Sequence, residues 1–416
     1  MLAIIGIILI FILGFLVVNL LFAGYYGEKI GLGFLVGSCL FTLLLFFLEK
    51  VGISFTAANS WLILLSSTSL SIFLNLLFKK QIIPKITPNK TKENLSSLIF
   101  LIFVSLSSFI TNLVSPVKDW DALTLFDFRA KAFLFTHTTA ILSTDPYLTM
   151  HNFYTTMMHY WFWLTGWFSP MPFYSLVFSS FLILSFFLFR RFLNTRLSYF
   201  FTIALALTPH FFENSFIAYT NLSYSIFMVL GAIYLYFWSK EQKWSDLILG
   251  LFFSVMTIWV RKIEPLWLGN LVVIPYFLIF KQNKKYLKLL VLAPILLVVF
   301  YAKNYLPVLL HFDFNIFFKV VDFIKWSVLS YYFPYFLLPL VIFIHQVFSK
   351  RLDWEILLLV ISHFFLILIG AYGFASENPN YWSGIPDAMR RLTLYWPLLI
   401  TFVVSLSLIG DKKADQ

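Results

Sequence analysis

Apolar runs of about twenty residues recur from one end of this chain to the other, and each is long enough to cross ~30 Å of hydrocarbon. They lie near 2–23, 31–48, 54–78, 96–115, 151–169, 171–189, 197–212, 221–238, 246–260, 265–280, 287–309, 327–348, 354–372 and 392–409. Runs this continuous require helices. A membrane barrel is built from strands of about ten residues that alternate in polarity, and lipid satisfies no open backbone group. The sequence therefore predicts an all-α polytopic membrane protein with about 12–14 membrane segments. Composition agrees: 60% of the 416 residues are hydrophobic, and no polar stretch reaches the ~50 residues of a small soluble domain.

The basic connectors set the expected orientation. Lys79, Lys80, Lys85, Lys90 and Lys92 precede the fourth run, and Lys281, Lys284, Lys285 and Lys288 separate two later ones. Lys240, Lys243, Lys350, Arg351, Lys412 and Lys413 mark three further ends. By the positive-inside rule all of these are cytoplasmic. The net charge of +11 is thus a record of topology, and no nucleic-acid partner is expected. The first run lacks a preceding basic residue and a small-residue cleavage site, so it reads as a retained helix. Cys39 is the single cysteine, which rules out an internal disulfide. Alternation places 116–150, 210–220, 261–265, 311–326 and 373–391 on the outer side. One stretch conflicts. Two apolar runs separate the outer 116–150 from Arg190, Arg191 and Arg196, which read as cytoplasmic. Either 151–169 is re-entrant or interfacial, or the arginine cluster is not cytoplasmic, and the sequence leaves both open.

Only 12% of the chain is charged, yet KDWDALTLFDFRAK (118–131) gathers Lys118, Asp119, Asp121, Asp127, Arg129 and Lys131 directly after an apolar run. Ionisable groups at a membrane-helix mouth are costly and mark function by default. Asp119 and Asp121, two positions apart in a loop, can face one side as a general base or as oxygen ligands to a hard cation. No cofactor is expected, and nothing else in the sequence supports a divalent cation. Segment 122–150 is amphipathic and is expected to lie along the outer interface. Arg129, Arg261, Arg390 and Arg391 fall on the translocated side against the usual bias, which points to an anionic ligand. GLGFLVG (31–37) opens an apolar run with no strand before it, so Gly33 and Gly37 read as close helix packing. The seven histidines are scattered, without the spacing of a metal site.

WDALTLFDFRAKAFLF (120–135) resembles the first outer loop of multi-spanning glycosyltransferases of the C fold, the superfamily of the dolichyl-phosphate-mannose-protein mannosyltransferases. In many prokaryotic members that loop reads like W-D-A-W-x-x-W-N-x-R-A-R. Four later segments are similar in order. MHNFYTTMMHYWFWLTG (150–166) keeps His151 and Tyr154 of an H-P-D-Y-P helix. FIAYTNLSYSIFMVLGAIYLYF (216–237) looks like a G-Y-A-D-L-P-L-A-F-F helix. WVRKIEPLWLGNLVV (259–273) looks like T-K-N-E-G-L through Lys262 and Glu264. DAMRRLTLYWPLL (387–399) matches S-x-x-R-L-x-x-x-x-P through Arg391, Leu392 and Pro397. The resemblance implies a catalytic region over 96–410 with the outer loop 116–150, preceded by extra transmembrane helices in 1–95 and followed by a cytoplasmic tail, 411–416.

That resemblance implies a transferase in a prokaryotic plasma membrane. It would move a sugar from a polyprenyl-phosphate carrier to an envelope glycan, lipid or protein acceptor on the outer face. Because the sugar already leaves as phosphate, one base can suffice, and a single displacement inverts the anomeric configuration. Asp121, the acid matching W-D, is the expected base, with Asp119 in reserve. Arg391 is the first choice for the donor phosphate, followed by Arg390, Lys262 and Arg129. Lys131, His151, Asn221 and Glu264 are further candidates. Asn221 stands where many relatives carry Asp, and an amide cannot serve as a base. The competing class is a lipid-linked sugar or solute transporter, whose basic cavity would hold a lipid phosphate without chemistry, although no broken-helix repeat pair favours it.

Overall fold

The computed structural model describes residues 2–22, 24–81, 95–149, 151–261, 267–281, 312–348, 353–377, 391 and 393–408. Among these residues the secondary structure is helical, with no strand, and seven helices are long and apolar enough to span a membrane. The protein is an all-α polytopic membrane protein. Lys262, Glu264 and Arg390 lie outside the described residues, as do the lysines of 82–94 and 282–290. The chain divides into two compact units, one of residues 1–223 with 259–262, the other of 224–258 with 263–416.

In the first unit, α1 (Leu2–Leu21), α2 (Tyr26–Lys50) and α3 (Ala57–Leu77) pack side by side. The α1–α2 contact is the glycine packing expected from GLGFLVG, with Gly14 as the partner on α1. A Cβ on Gly37 would overlap the Ile10 carbonyl oxygen, and one on Gly14 would overlap that of Gly33, so only glycine lets the two backbones approach this closely. Thr56 caps α3 through its side chain, which accepts from the Asn59 N–H at 3.2 Å; an N-cap of this type contributes about 1 kcal/mol. Then come α4 (Leu95–Val114), α5 (Phe128–Thr136), α6 (Tyr154–Leu164), α7 (Pro172–Arg190), α8 (Thr195–Ala206) and α9 (Pro209–Glu213). Helix α4 exposes Leu98, Ile102, Phe103, Leu106 and Ile110, as a lipid-facing helix does, and turns Ser108 and Asn112 inward onto Ser175 at 2.9 and 2.7 Å.

The orientation conflict resolves within this unit. Glu28, at the start of α2, is buried and holds Arg191, just past α7, through two hydrogen bonds of 2.8 and 2.7 Å. Lys29 donates to Asn19, which in turn donates to Asn75. The end of α1, the start of α2, the end of α3 and the end of α7 therefore share one end of the bundle. At the opposite end Glu49 accepts from the Thr139 N–H and hydroxyl at 2.9 and 2.8 Å. The Phe55 N–H likewise donates to the His137 carbonyl at 2.7 Å. The loop after α4 thus caps the end that carries the α2–α3 turn. Helix α6 stays there too: Phe153, preceding it, stacks on Phe46 at 5.0 Å, and Tyr160 donates to the Phe55 carbonyl at 2.8 Å. Phe46 and Phe55 flank the same turn. Eleven residues of α6 extend only about 16 Å, half of a bilayer core. The apolar run 151–169 thus stays at one end of the bundle, as the re-entrant or interfacial alternative requires, and the arginine cluster lies at the end carrying Lys79 and Lys80.

The second unit contains most of α10 (Asn221–Glu241) and α11 (Trp244–Val260), with α12 (Leu268–Lys281), α13 (Phe314–Phe348), α14 (Trp354–Glu377) and α15 (Tyr395–Ser407). Lys240 pairs with Asp353 at 2.8 Å and Glu355 at 3.2 Å, and Lys281 also pairs with Glu355. These contacts tie the ends of α10 and α12 to the start of α14. Midway along, the Asn270 amide nitrogen donates to the Met228 carbonyl and Ser254 hydroxyl at 2.9 and 3.1 Å, and His363 Nε2 meets its oxygen at 3.0 Å. Such bonds matter where lipid offers no alternative partner.

Candidate functional site

The charged segment after α4 does not continue as a regular helix. Ala122–Asp127 forms a π-helical turn that runs into α5. A π-turn inserts one residue and rotates the following side chains, and such turns concentrate at functional sites. Here it turns Ala122, Leu125, Phe126 and Asp127 inward while Trp120 stays exposed. Asp127 ends almost fully buried between α5 and α6. Its Oδ1 accepts from Trp163 Nε1 at 2.6 Å, its Oδ2 meets Lys131 Nζ at 2.8 Å, and His159 Nδ1 lies 3.5 Å from Oδ1. Burial alone would raise the carboxyl's pKa, but the His159, Lys131 and Trp163 partners outweigh it and hold Asp127 at about 2. The Lys131 ammonium also sits over the Trp163 ring, 4.6 Å from its centroid.

From Asp127 a polar line continues inward. His159 is fully buried and its Nε2 lies 2.8 Å from the Tyr174 hydroxyl, on the first turn of α7. Asp119 and Asp127 both act electrostatically on that hydroxyl. Asp119 Oδ2 is buried and accepts no hydrogen bond among the described residues, so a buried acceptor stands open next to this line. Asp121 lies one residue ahead of the π-turn and does not cap it with its side chain.

Arg129, a candidate for anion binding, plays another part. It is fully buried, and its guanidinium donates to the carbonyls of Leu148, His151 and Asn152 at 3.0, 2.8 and 3.4 Å. Phe126 and Phe153 lie 5.6 and 5.2 Å from it. Burial pushes the group down to about 9, so it is charged at neutral pH, with its donors spent on the backbone that leads into α6. It is a clamp that shapes the loop. Arg261, at the end of α11, donates from Nη1 to Asn221 Oδ1 at 2.7 Å. His151 stacks on Phe126 at 5.9 Å, and its buried Nδ1 has no hydrogen-bond partner among the described residues. Burial first, then the charges of Arg261 and Arg129, push His151 down to about 3, which keeps the imidazole neutral. The amide nitrogen of Asn221 is likewise buried and donates to nothing among the described residues.

Asp119, Asp121, Arg129, Lys131, His151 and Asn221 all belong to the first unit, as do Asp127, Arg261, His159 and Tyr174. Arg391 belongs to the second unit, ahead of α15. Among the described residues no group of three or more His, Cys, Asp or Glu side chains gathers as a metal site. His159 and Tyr174 were not singled out by sequence. Asp127 precedes His159 by thirty-two positions, so no local spacing links them; the one signal was that an apolar run of membrane-span length carried a histidine at all. In comparisons with known proteins, no family model, curated protein or solved structure matches this chain.

Proposed function

We propose that this protein is a membrane glycosyltransferase of the C-fold type, moving a sugar from a polyprenyl-phosphate carrier to an acceptor hydroxyl at the end of the bundle capped by the loop after α4. The observation that carries this reading is the open, buried Asp119 oxygen, held in one unit with the arginine–histidine pole of Arg261 and His151. A carboxylate oxygen with no donor is where an acceptor hydroxyl can place its proton, and it favours Asp119 over Asp121 as the base. As the acceptor oxygen attacks the anomeric carbon, the bond to the carrier phosphate breaks and charge builds on that phosphate. In this reading Arg261 and the Asn221 amide nitrogen receive it. An amide at 221 suits this role, since an aspartate there would repel the leaving phosphate. The function is tested by supplying purified full-length protein with labelled polyprenyl-phosphate sugars of several kinds and a membrane extract as acceptor. Carrier-dependent label transfer is expected. Tight binding of the carriers with no transfer from any of them would instead assign the protein to lipid transport.

A further inference from the structure

The segment from Trp120 to Phe135 buries one side and leaves the other apolar and open. Leu125, Phe126, Asp127, Arg129, Ala130 and Phe133 are turned inward, whereas Trp120 and Phe135 are 74% and 80% exposed, and Leu123 and Phe128 are 42% and 47% exposed. These four fall on one stripe. Trp120 precedes Leu123 by three positions. Leu123 and Phe128 stand five positions apart across the π-helical turn, one repeat of a π-helix, and Phe135 follows Phe128 by two turns of α5. Lys131, on the same stripe, turns its ammonium back to Asp127 at 2.8 Å, and Lys118 is exposed just ahead of Trp120.

Both ends of the segment are held at the level where membrane spans end. Helices α2 and α3 are spans, so the turn joining them lies at a membrane surface, and the end of α5 is tied to that turn. The Phe55 N–H donates to the His137 carbonyl at 2.7 Å, and Glu49 accepts from the Thr139 N–H at 2.9 Å. At its other end the segment leaves α4, also a span, which stops at Val114. A helix held at that level from both sides lies along the surface, and its outer side meets the layer where headgroups give way to acyl chains. Water is the poorer neighbour, because contiguous apolar patches are rare on wetted surfaces. Tryptophan and phenylalanine beside a long cationic side chain suit the headgroup layer instead. We infer that the stripe of Trp120, Leu123, Phe128 and Phe135 is a lipid-docking surface, seated in the glycerol layer of the leaflet, with Lys118 reaching the lipid phosphates. This inference is independent of the reaction proposed above. Its consequence is that Asp119, between Lys118 and Trp120, is held at the depth of the lipid phosphates.

The test uses full-length Cys39→Ser protein in phosphatidylcholine nanodiscs, with Trp120→Cys, Phe128→Cys, Phe135→Cys or Thr144→Cys carrying a nitroxide label. Oxygen, which concentrates in lipid, should relax the labels at 120, 128 and 135 more than a water-soluble nickel chelate does. The order should reverse at Thr144, an exposed position of the same loop. Nickel dominance at all four positions puts the stripe in water and overturns the docking surface. Spectral broadening at 120, 128 and 135 that disappears on dilution with unlabelled protein overturns it too, by making a second copy the occupant. A second measurement keeps the native stripe. Trp120→Phe removes one of thirteen indoles, so the difference between wild-type and variant emission reports on Trp120. That difference should be lost when the phosphatidylcholine is brominated near the glycerol end of its chains, and should survive iodide in the buffer. Loss to iodide with survival in brominated lipid contradicts the inference.

Discussion

Arg129 shows how far a residue's role depends on what the backbone does around it. In sequence it is one more cation in a charged segment on the side where phosphate is expected. In the fold its guanidinium fans over three carbonyls of a loop that runs beneath it. Arg129→Lys keeps the charge but cannot span them, so it should cost about 2–4 kcal/mol of stability, read as a lower unfolding midpoint in detergent. Donor affinity measured in the folded fraction should stay unchanged. Asp127 makes the reverse case. It was visible only as a member of the charged run, and its importance comes from Trp163 and His159, which reach it when the loop folds onto α6. Its folded pKa, about 2, lies below the ordinary ~3.9. The carboxylate therefore stabilises the fold fully above about pH 4, and that contribution is lost as pH falls toward 2. The stability gap between wild type and Asp127→Asn should be constant across neutral pH and narrow below about pH 4. A gap that widens on acidification would contradict the ion-pair account.

At the scale of elements, the sequence identified the helices and one of their contacts, because periodic apolar runs and glycine spacing are local signals. Gly33 and Gly37 were legible as a packing face; Gly14, which completes it on α1, was not distinguishable from any other glycine in a greasy run. Gly37→Ala should lower stability by about 1–3 kcal/mol, since its methyl would meet the Ile10 carbonyl. The length of α6 was hidden for a different reason. The run 151–169 has the composition of a span, and what stops it is local: Gly166 takes φ +81° and the chain turns back through Pro170 and Pro172. A re-entrant α6 requires both of its flanks to face one compartment. In a Cys39→Ser background, cysteines at exposed Thr144 and Phe168 should both react with an impermeant thiol reagent in intact cells, while one at Lys80 should be protected. Opposite labelling of 144 and 168 would make α6 a crossing helix.

For the whole molecule, the helical membrane character follows from composition, whereas the grouping of helices does not. The boundary between the two compact units falls after Ser223, inside an apolar run with no linker to mark it. The extra helices α1–α3 share the first unit with the acidic loop, and through Glu49 and Phe55 they hold that loop in place. The family resemblance does not cover these helices, and nothing in their own residues refers to the loop. The proposed transfer rests on the buried Asp119 oxygen that accepts no hydrogen bond among the described residues. The most direct test is carrier-dependent sugar transfer by purified Asp119→Asn, side by side with Asp121→Asn and a binding measurement on the labelled carrier. Asp119→Asn should bind the carrier as wild type does and lose ~10²–10⁴-fold in turnover, with Asp121→Asn milder. Native-rate transfer by Asp119→Asn would contradict the account.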